Sequence, residues 1–238
     1  MKYILPFLVF SALGCTPPQK EAPGTVPAAP QKAVVLETLS DQYLPFGECL
    51  NGPAAKWATV QGTTFTLKAD QLTDFFIEPG TPPYELANAP LLLKKVDNTV
   101  PFTFSCKTTP VHRVKYDAGM AFIFVDEKHW LKFAFEADER MNKRLVTVKT
   151  ADFSDDNNHD AVNSDFVYLK ISSDTKVIGF YYSLDNKDWQ LVRVFKNEYP
   201  PVIRVGIGTQ SPAGAGNSSV FEAVEFTGQA VKDFRMGI

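Results

Sequence analysis

Trp130, Lys132 and Glu136 stand two and four residues apart in the stretch YDAGMAFIFVDEKHWLKFAFE, Tyr116 to Glu136. On an extended strand, residues two apart share a face. An indole, an ammonium and a carboxylate therefore line one surface, while Leu131, Phe133 and Phe135 line the other and point into a core. A ring beside a donor and an acceptor suits sugars, because the C–H faces of a pyranose pack on aromatic carbon and its hydroxyls need hydrogen-bond partners. The same alternation turns Val167, Leu169 and Ile171 inward, with Ile178, Phe180, Tyr182 and Leu184, and turns Phe166, Tyr168, Lys170, Tyr181 and Ser183 outward. If these strands adjoin, Tyr168 and Tyr181 extend the surface begun by Trp130.

Glu136 is also the candidate catalytic acid. A glycosidase needs two carboxylates about 5 to 9.5 Å apart across the scissile bond. The stretch FEADER offers Asp138 on the parity of Glu136, but in a turn beside Glu139 and Arg140. The pattern favours binding over catalysis, with glycoside hydrolysis as the alternative. A second run, DFSDDNNHD at Asp152 to Asp160, is rich in oxygen donors, and Asp152, Asp155 and Asp156 are its candidate calcium ligands. It lacks EF-hand spacing, and Asp and Asn stabilise turns by bonding their own backbone, so it reads as a loop. His112, His129 and His159 show no zinc spacing, and no Gly-rich phosphate loop leads from a strand into a helix. No cofactor is expected.

The elements that would carry these residues are short and β-rich. Thirteen runs stand out: WATVQ, TTFTLKA, DFFIE, LLLKKV, FTFSCKT, GMAFIFVD, HWLKFAFE, RLVTVKT, DFVYLKIS, KVIGFYYSL, WQLVRVF, VIRVGIGTQ and VFEAVEF. Turns such as DEKH, DERMNK and DNKD join them as antiparallel hairpins, the pattern of an all-β sandwich or barrel. No helical periodicity exceeds two turns.

Residues 1–14 read as a secretory signal peptide, with Lys2 ahead of an apolar run too short to span a bilayer. The ending SALGC resembles a bacterial lipobox, which makes Cys15 the lipidation site. Residues 15–32 contain five prolines and little to bury, so they read as an extended tether. Residues 33–238 form one β-domain. Its place would be the bacterial cell envelope, periplasmic or surface-facing, with the membrane as a partner through the lipid. A net charge of -3 argues against nucleic acid. Cys49 and Cys106 remain, either as a disulfide or as buried thiols, since Cys106 shares the parity of Phe102 and Phe104.

Several of these stretches resemble the regulation-of-enolase-like family, a domain of unknown function in the concanavalin A-like lectin and glucanase superfamily. The stretch from Tyr116 to Glu136 is similar to its Tyr-Asp-x-Gly strand followed by Trp-x-Lys-x-x-x-Glu. TDFF at Thr73 to Phe76 resembles Thr-Asp-Phe-Trp, with Phe76 in place of tryptophan. NAP at Asn88 to Pro90 matches directly. VTVKTADFSD resembles a stretch ending Ser-Asp-Trp, with Asp156 where the tryptophan would stand. FYYSLDNKDWQLVR and VGIGTQSP complete the order, which covers Trp57 to Phe226.

The resemblance implies a jelly-roll sandwich of two antiparallel sheets whose concave face receives carbohydrate. It adds Tyr116, Asp117, Ser154, Asp155, Gln210 and Ser211 as ligand-binding candidates. The two lost tryptophans imply a weak or altered ligand preference. The expected function is thus an envelope lipoprotein that binds a glycan or another extracellular ligand, with hydrolysis or docking within an envelope protein complex as alternatives.

Overall fold

A computed structural model describes residues 35–80 and 84–238. The signal peptide, Cys15 and the tether lie outside the described residues. Seventeen strands are present among those described: β1 (Leu36–Thr38), β2 (Glu48–Leu50), β3 (Ala58–Gln61), β4 (Thr64–Ala69), β5 (Phe75–Ile77), β6 (Glu85–Ala87), β7 (Leu91–Asp97), β8 (Phe102–Pro110), β9 (Ala118–Asp126), β10 (His129–Ala137), β11 (Lys143–Ala151), β12 (Phe153–Ala161), β13 (Val167–Ser173), β14 (Val177–Ser183), β15 (Gln190–Lys196), β16 (Val202–Gln210) and β17 (Asn217–Thr227). They form an eight-stranded sheet, ordered β1-β2-β7-β16-β9-β10-β11-β12, and a seven-stranded sheet, ordered β15-β14-β13-β8-β17-β4-β3. A separate hairpin pairs β5 with β6. Each pairing is antiparallel. The protein is an all-β sandwich, as the strand pattern and the resemblance led one to expect.

All thirteen expected strands are present. The correction concerns Asp152 to Asp160, which is not a loop: residues 153–161 form the nine-residue edge strand β12, paired with β11. Asp and Asn have low strand propensity, so nothing in their type announces a strand. At an edge, however, charged and polar side chains are what keeps a free ladder from pairing with other chains.

The alternation assigns the inter-sheet core correctly. Leu131, Phe133 and Phe135 meet Val167, Leu169, Ile171, Ile178 and Phe180 there, and the Phe133 and Phe180 rings stack with centroids 5.0 Å apart. Leu184 is the exception, half exposed beyond the end of β14. Cys49 and Cys106 are both free and buried in this core.

A second core lies on the opposite face of the eight-stranded sheet. Trp130 is fully buried there with Met120, Phe122, Phe124, Val146 and Val148, beneath Phe75 and Ile77 of the hairpin. The Phe75 ring meets the indole edge-on at 5.3 Å. Strands β9 and β10 are therefore covered on both faces, which explains the near-continuous apolar run GMAFIFV. Side-chain ties hold the hairpin down. Asn51 donates its side-chain amide to the carbonyls of Ala87 and Ala89, Ile77 donates its N–H to Ser154 Oγ, and Lys128 pairs with Glu85.

Phe75 is the plug between hairpin and sheet, so Phe75→Ala should cost about 3–5 kcal/mol. Urea denaturation followed by tryptophan emission reads both consequences: a lower midpoint, and a red-shifted native spectrum as water reaches Trp130. An unchanged midpoint would show that the hairpin lies outside the cooperative core.

Candidate functional site

The hairpin covers only part of the outer face of the eight-stranded sheet. Beyond its edge, the face of β10 that carries Trp130 continues through Lys132 to Glu136 and opens into a cavity of about 480 Å³. β5 and β6 contribute Phe76 and the segments that carry Asp74 and Tyr84, β12 contributes Asp156 and Asn158, and β16 ends in Gln210 at the floor.

Lys132 is 3% exposed. A buried ammonium must be paired and hydrogen-bonded, and Nζ donates to Asp74 Oδ1 and to Gln210 Oε1, each at 3.2 Å. Asp74 is satisfied on both oxygens: Oδ1 also accepts the Phe75 N–H at 2.8 Å, and Oδ2 accepts the Tyr84 hydroxyl at 3.2 Å. Burial and Asp74 together push the Tyr84 hydroxyl up, so it stays a donor. Gln210 turns its other end outward from Lys132, and Nε2 donates to Glu136 Oε2 at 3.3 Å and to the Tyr116 carbonyl at 3.1 Å. That carbonyl is aimed by a left-handed backbone, φ 70° at Tyr116, which a non-glycine residue adopts only under constraint.

The constraint comes from Asp117. Its Oδ1 accepts the Ser211 hydroxyl at 2.7 Å, and its Oδ2 accepts the N–H groups of Arg113 and Val114 at 3.1 Å each. Asp117 and Ser211 are buried and fix the loop that brings Lys115 and Tyr116 to the cavity wall.

Glu136 is 6% exposed. Burial pushes its carboxyl up to about 8; Lys132 opposes the shift, and Asp74, Asp156 and Asp138 add to it. Near neutrality the group is largely protonated and can donate. Asp138 differs. Burial raises it, but bonds from Arg144 at 2.6 Å and from Asn142 and Arg140 outweigh that and hold its carboxyl well below the usual range. It is a fixed anion of the β10–β11 turn rather than a partner acid for Glu136.

The structure thus brings together Lys132, Glu136, Gln210 and Tyr116, and separates the remaining candidates. Trp130 needs correction: it shares the face but is sealed under Phe75, and its Nε1 has no hydrogen-bond partner among the described residues. Tyr168 and Tyr181 also need correction, because β13 and β14 belong to the other sheet and carry them on the far side of the sandwich. Tyr181 is fully buried there, donating to the Phe234 carbonyl at 2.9 Å; Tyr168 is half-buried beside Phe166. Ser154 holds the hairpin instead of facing the cavity, with Oγ accepting from Ile77 and bonding Thr150. Asp155 points away and pairs with Arg193 of β15 at 3.3 Å, whereas its neighbour Asp156 lines the cavity.

No group of three or more His, Cys, Asp or Glu among the described residues is arranged to hold a metal ion. Asp155 and Asp156 face opposite ways on β12, and Asp152 sits in the tight turn before it. Sequence reasoning missed Asp74, Glu78, Tyr84, Lys115, Glu139 and Asn158. Only Asp74 carried a signal, as the acid of the TDFF stretch.

The raised Glu136 carboxyl has a stability consequence. In the unfolded chain it ionises near 4.5, in the folded protein near 8, so the native state holds the extra proton between those values and stability from this group falls as pH rises across them. In urea denaturation, Glu136→Gln should flatten the decline between about pH 5 and pH 8. A parallel decline in both proteins would place the titrating group elsewhere.

Among solved structures, the fold is similar to a functionally unknown protein from Saccharomyces cerevisiae, 23% identical, with a TM-score of 0.69 over 77% of this chain and 96% of that one. It also resembles part of the GH43 protein BlXynB from Bacillus licheniformis, 12% identical with a TM-score of 0.60, over 76% of this chain and 36% of that one. A xylan β-1,4-xylosidase from Bacillus halodurans C-125 gives 13% identity and a TM-score of 0.57 over 74% and 35%. At these identities the likeness is one of fold, and this chain spans about a third of each of the last two. No curated protein matches the sequence. A family model matches residues 50–229, most of the chain and all of the cavity's lining residues, and the chain belongs to that family, described as a protein of unknown function (DUF1349).

Proposed function

We propose that this is a carbohydrate-binding β-sandwich of the bacterial cell envelope, and that the cavity over β10 is where the glycan sits. One observation carries the reading: Lys132, Gln210 and Glu136 are buried, bonded to one another, and converge on the floor of an open cavity with Phe76, Tyr84 and Tyr116 on its walls. Apolar walls with a few fixed polar groups are the usual make-up of a small-molecule site. Sugars in particular need ring contact together with donors and acceptors held in place. The neighbours named as GH43 and xylan-acting proteins support a carbohydrate context for this sandwich.

The envelope location rests on residues 1–32, with the lipid at Cys15 and the proline-rich tether behind it. Several acyl chains on one cysteine, each buried methylene contributing about 0.8 kcal/mol, hold a domain at a membrane. Fractionation of cells expressing Cys15→Ser should move the protein from the membrane to the soluble fraction. Retention on the membrane would exclude the anchor.

Glycan arrays followed by titration calorimetry test the binding reading. Phe76→Ala should weaken the bound glycan by about 1 kcal/mol, roughly fivefold; because Phe76 also packs against the second core, the variant's urea midpoint is measured alongside to separate lost contact from lost fold. Binding that is equal in both proteins would sink the assignment to this cavity. A protonated Glu136 beside the Asp156 carboxylate is also the donor set of acid catalysis. Reducing-sugar release that disappears in Glu136→Gln would assign hydrolysis instead.

A further inference from the structure

Resting on the carbohydrate reading, we propose that the cavity selects a saccharide bearing a protonated amine, in which an ammonium stands where a neutral sugar has a hydroxyl. The balance of charge around the cavity points there. Its lining holds the acids Asp74, Glu78, Glu139 and Asp156 against Lys115 and Lys132, with Glu136 among them as a protonated, neutral carboxyl. Lys132 is taken up by Asp74 and Gln210. Among the described residues, Glu78, Glu139 and Asp156 have no ion-pair partner.

Glu136 supplies the second observation. It is more than nine-tenths buried and lines the cavity, yet only its Oε2 is hydrogen-bonded, to Gln210. Oε1 remains for whatever enters. Glu78, Glu136, Glu139 and Asp156 line one opening with Tyr116, whose hydroxyl is pushed up by burial first and then by Glu139, Glu136, Asp156 and Asp138.

The walls agree with the charges. Phe76 and Tyr84 stand with ring centroids 6.4 Å apart and planes inclined at 49°, and Tyr116 lines the same cavity. The face of an aromatic ring attracts a cation, and aromatic side chains with carboxylates are the chemistry that holds an ammonium. A uronate or a phosphorylated sugar meets the same field with the opposite sign. A neutral sugar gains nothing from it.

The test is calorimetric titration near pH 6 and at low salt, using a short glucosamine oligomer and the N-acetylglucosamine oligomer of the same length. The glucosamine oligomer should bind about tenfold more tightly, and its advantage should shrink as salt rises. Asp156→Asn and Glu139→Gln, both at exposed positions that can be replaced without loss of fold, should each cut that advantage severalfold. Equal or tighter binding of the acetylated oligomer overturns the inference and leaves the carbohydrate reading standing if that binding is weakened in Phe76→Ala. An amine preference that survives in both variants overturns it too, because the attraction then arises outside this cavity. If neither oligomer binds, and no arrayed glycan does, both readings are overturned.

Discussion

The ammonium of Lys132 is buried against Asp74, and the arrangement of the whole outer face depends on that pair. Taking both charges out of water costs several kcal/mol each, so the pair stands only if its remaining hydrogen-bonding capacity is met. It is: Asp74 also takes the Phe75 N–H and the Tyr84 hydroxyl, and Lys132 also reaches Gln210. Removing either partner leaves the other charged and buried, a loss of about 3–5 kcal/mol. Asp74 immediately precedes β5, so the ion pair fixes where the hairpin begins and thereby where Phe75 enters the second core.

From that anchor the face divides into a dry half and a wet half. On β5, Phe75 and Ile77 point down onto Trp130 and the phenylalanines of β9, while Phe76 between them faces the cavity. The hairpin is too short to cover the whole of β10. What it leaves open is the Glu136 end, where Gln210 joins the ion pair to a protonated carboxyl. Here Lys132 serves both halves: one bond holds the cover in place, and the other orients the amide at the floor of the cavity.

Alternation along β10 reveals that two faces exist and which residues share each. It does not reveal what lies on top of them. Trp130 and Lys132 have the same parity, yet one is sealed and the other lines a cavity, and the difference is Phe75, some 55 residues earlier in the chain. Tyr181 makes the same point, since its cover comes from the segment around Phe234. The thirteen strands were legible because β-branched and aromatic residues cluster in them; β12 was not, because its Asp and Asn are there for edge protection and for the cavity wall. Sheet order was also out of reach. Strands β10 and β13 look alike as sequences, and only long-range pairing places them in different sheets.

The two positions at which the resembled pattern would carry tryptophan, Phe76 and Asp156, both line the cavity. Their proximity turns two isolated departures into one change of chemistry. An indole at 76 becomes a smaller ring without a donor, and an indole at 156 becomes a carboxylate on an exposed strand. The wall loses stacking area, which serves any sugar ring, and gains a charge, which serves only a ligand of opposite sign. Glu139 and Glu78 lie around the same opening, so the new carboxylate adds to a field already negative instead of being neutralised by a neighbour. Under the proposed reading, recognition at this site rests more on charge than on ring contact, and a ligand that offers only ring faces and hydroxyls leaves the strongest feature of the cavity unused.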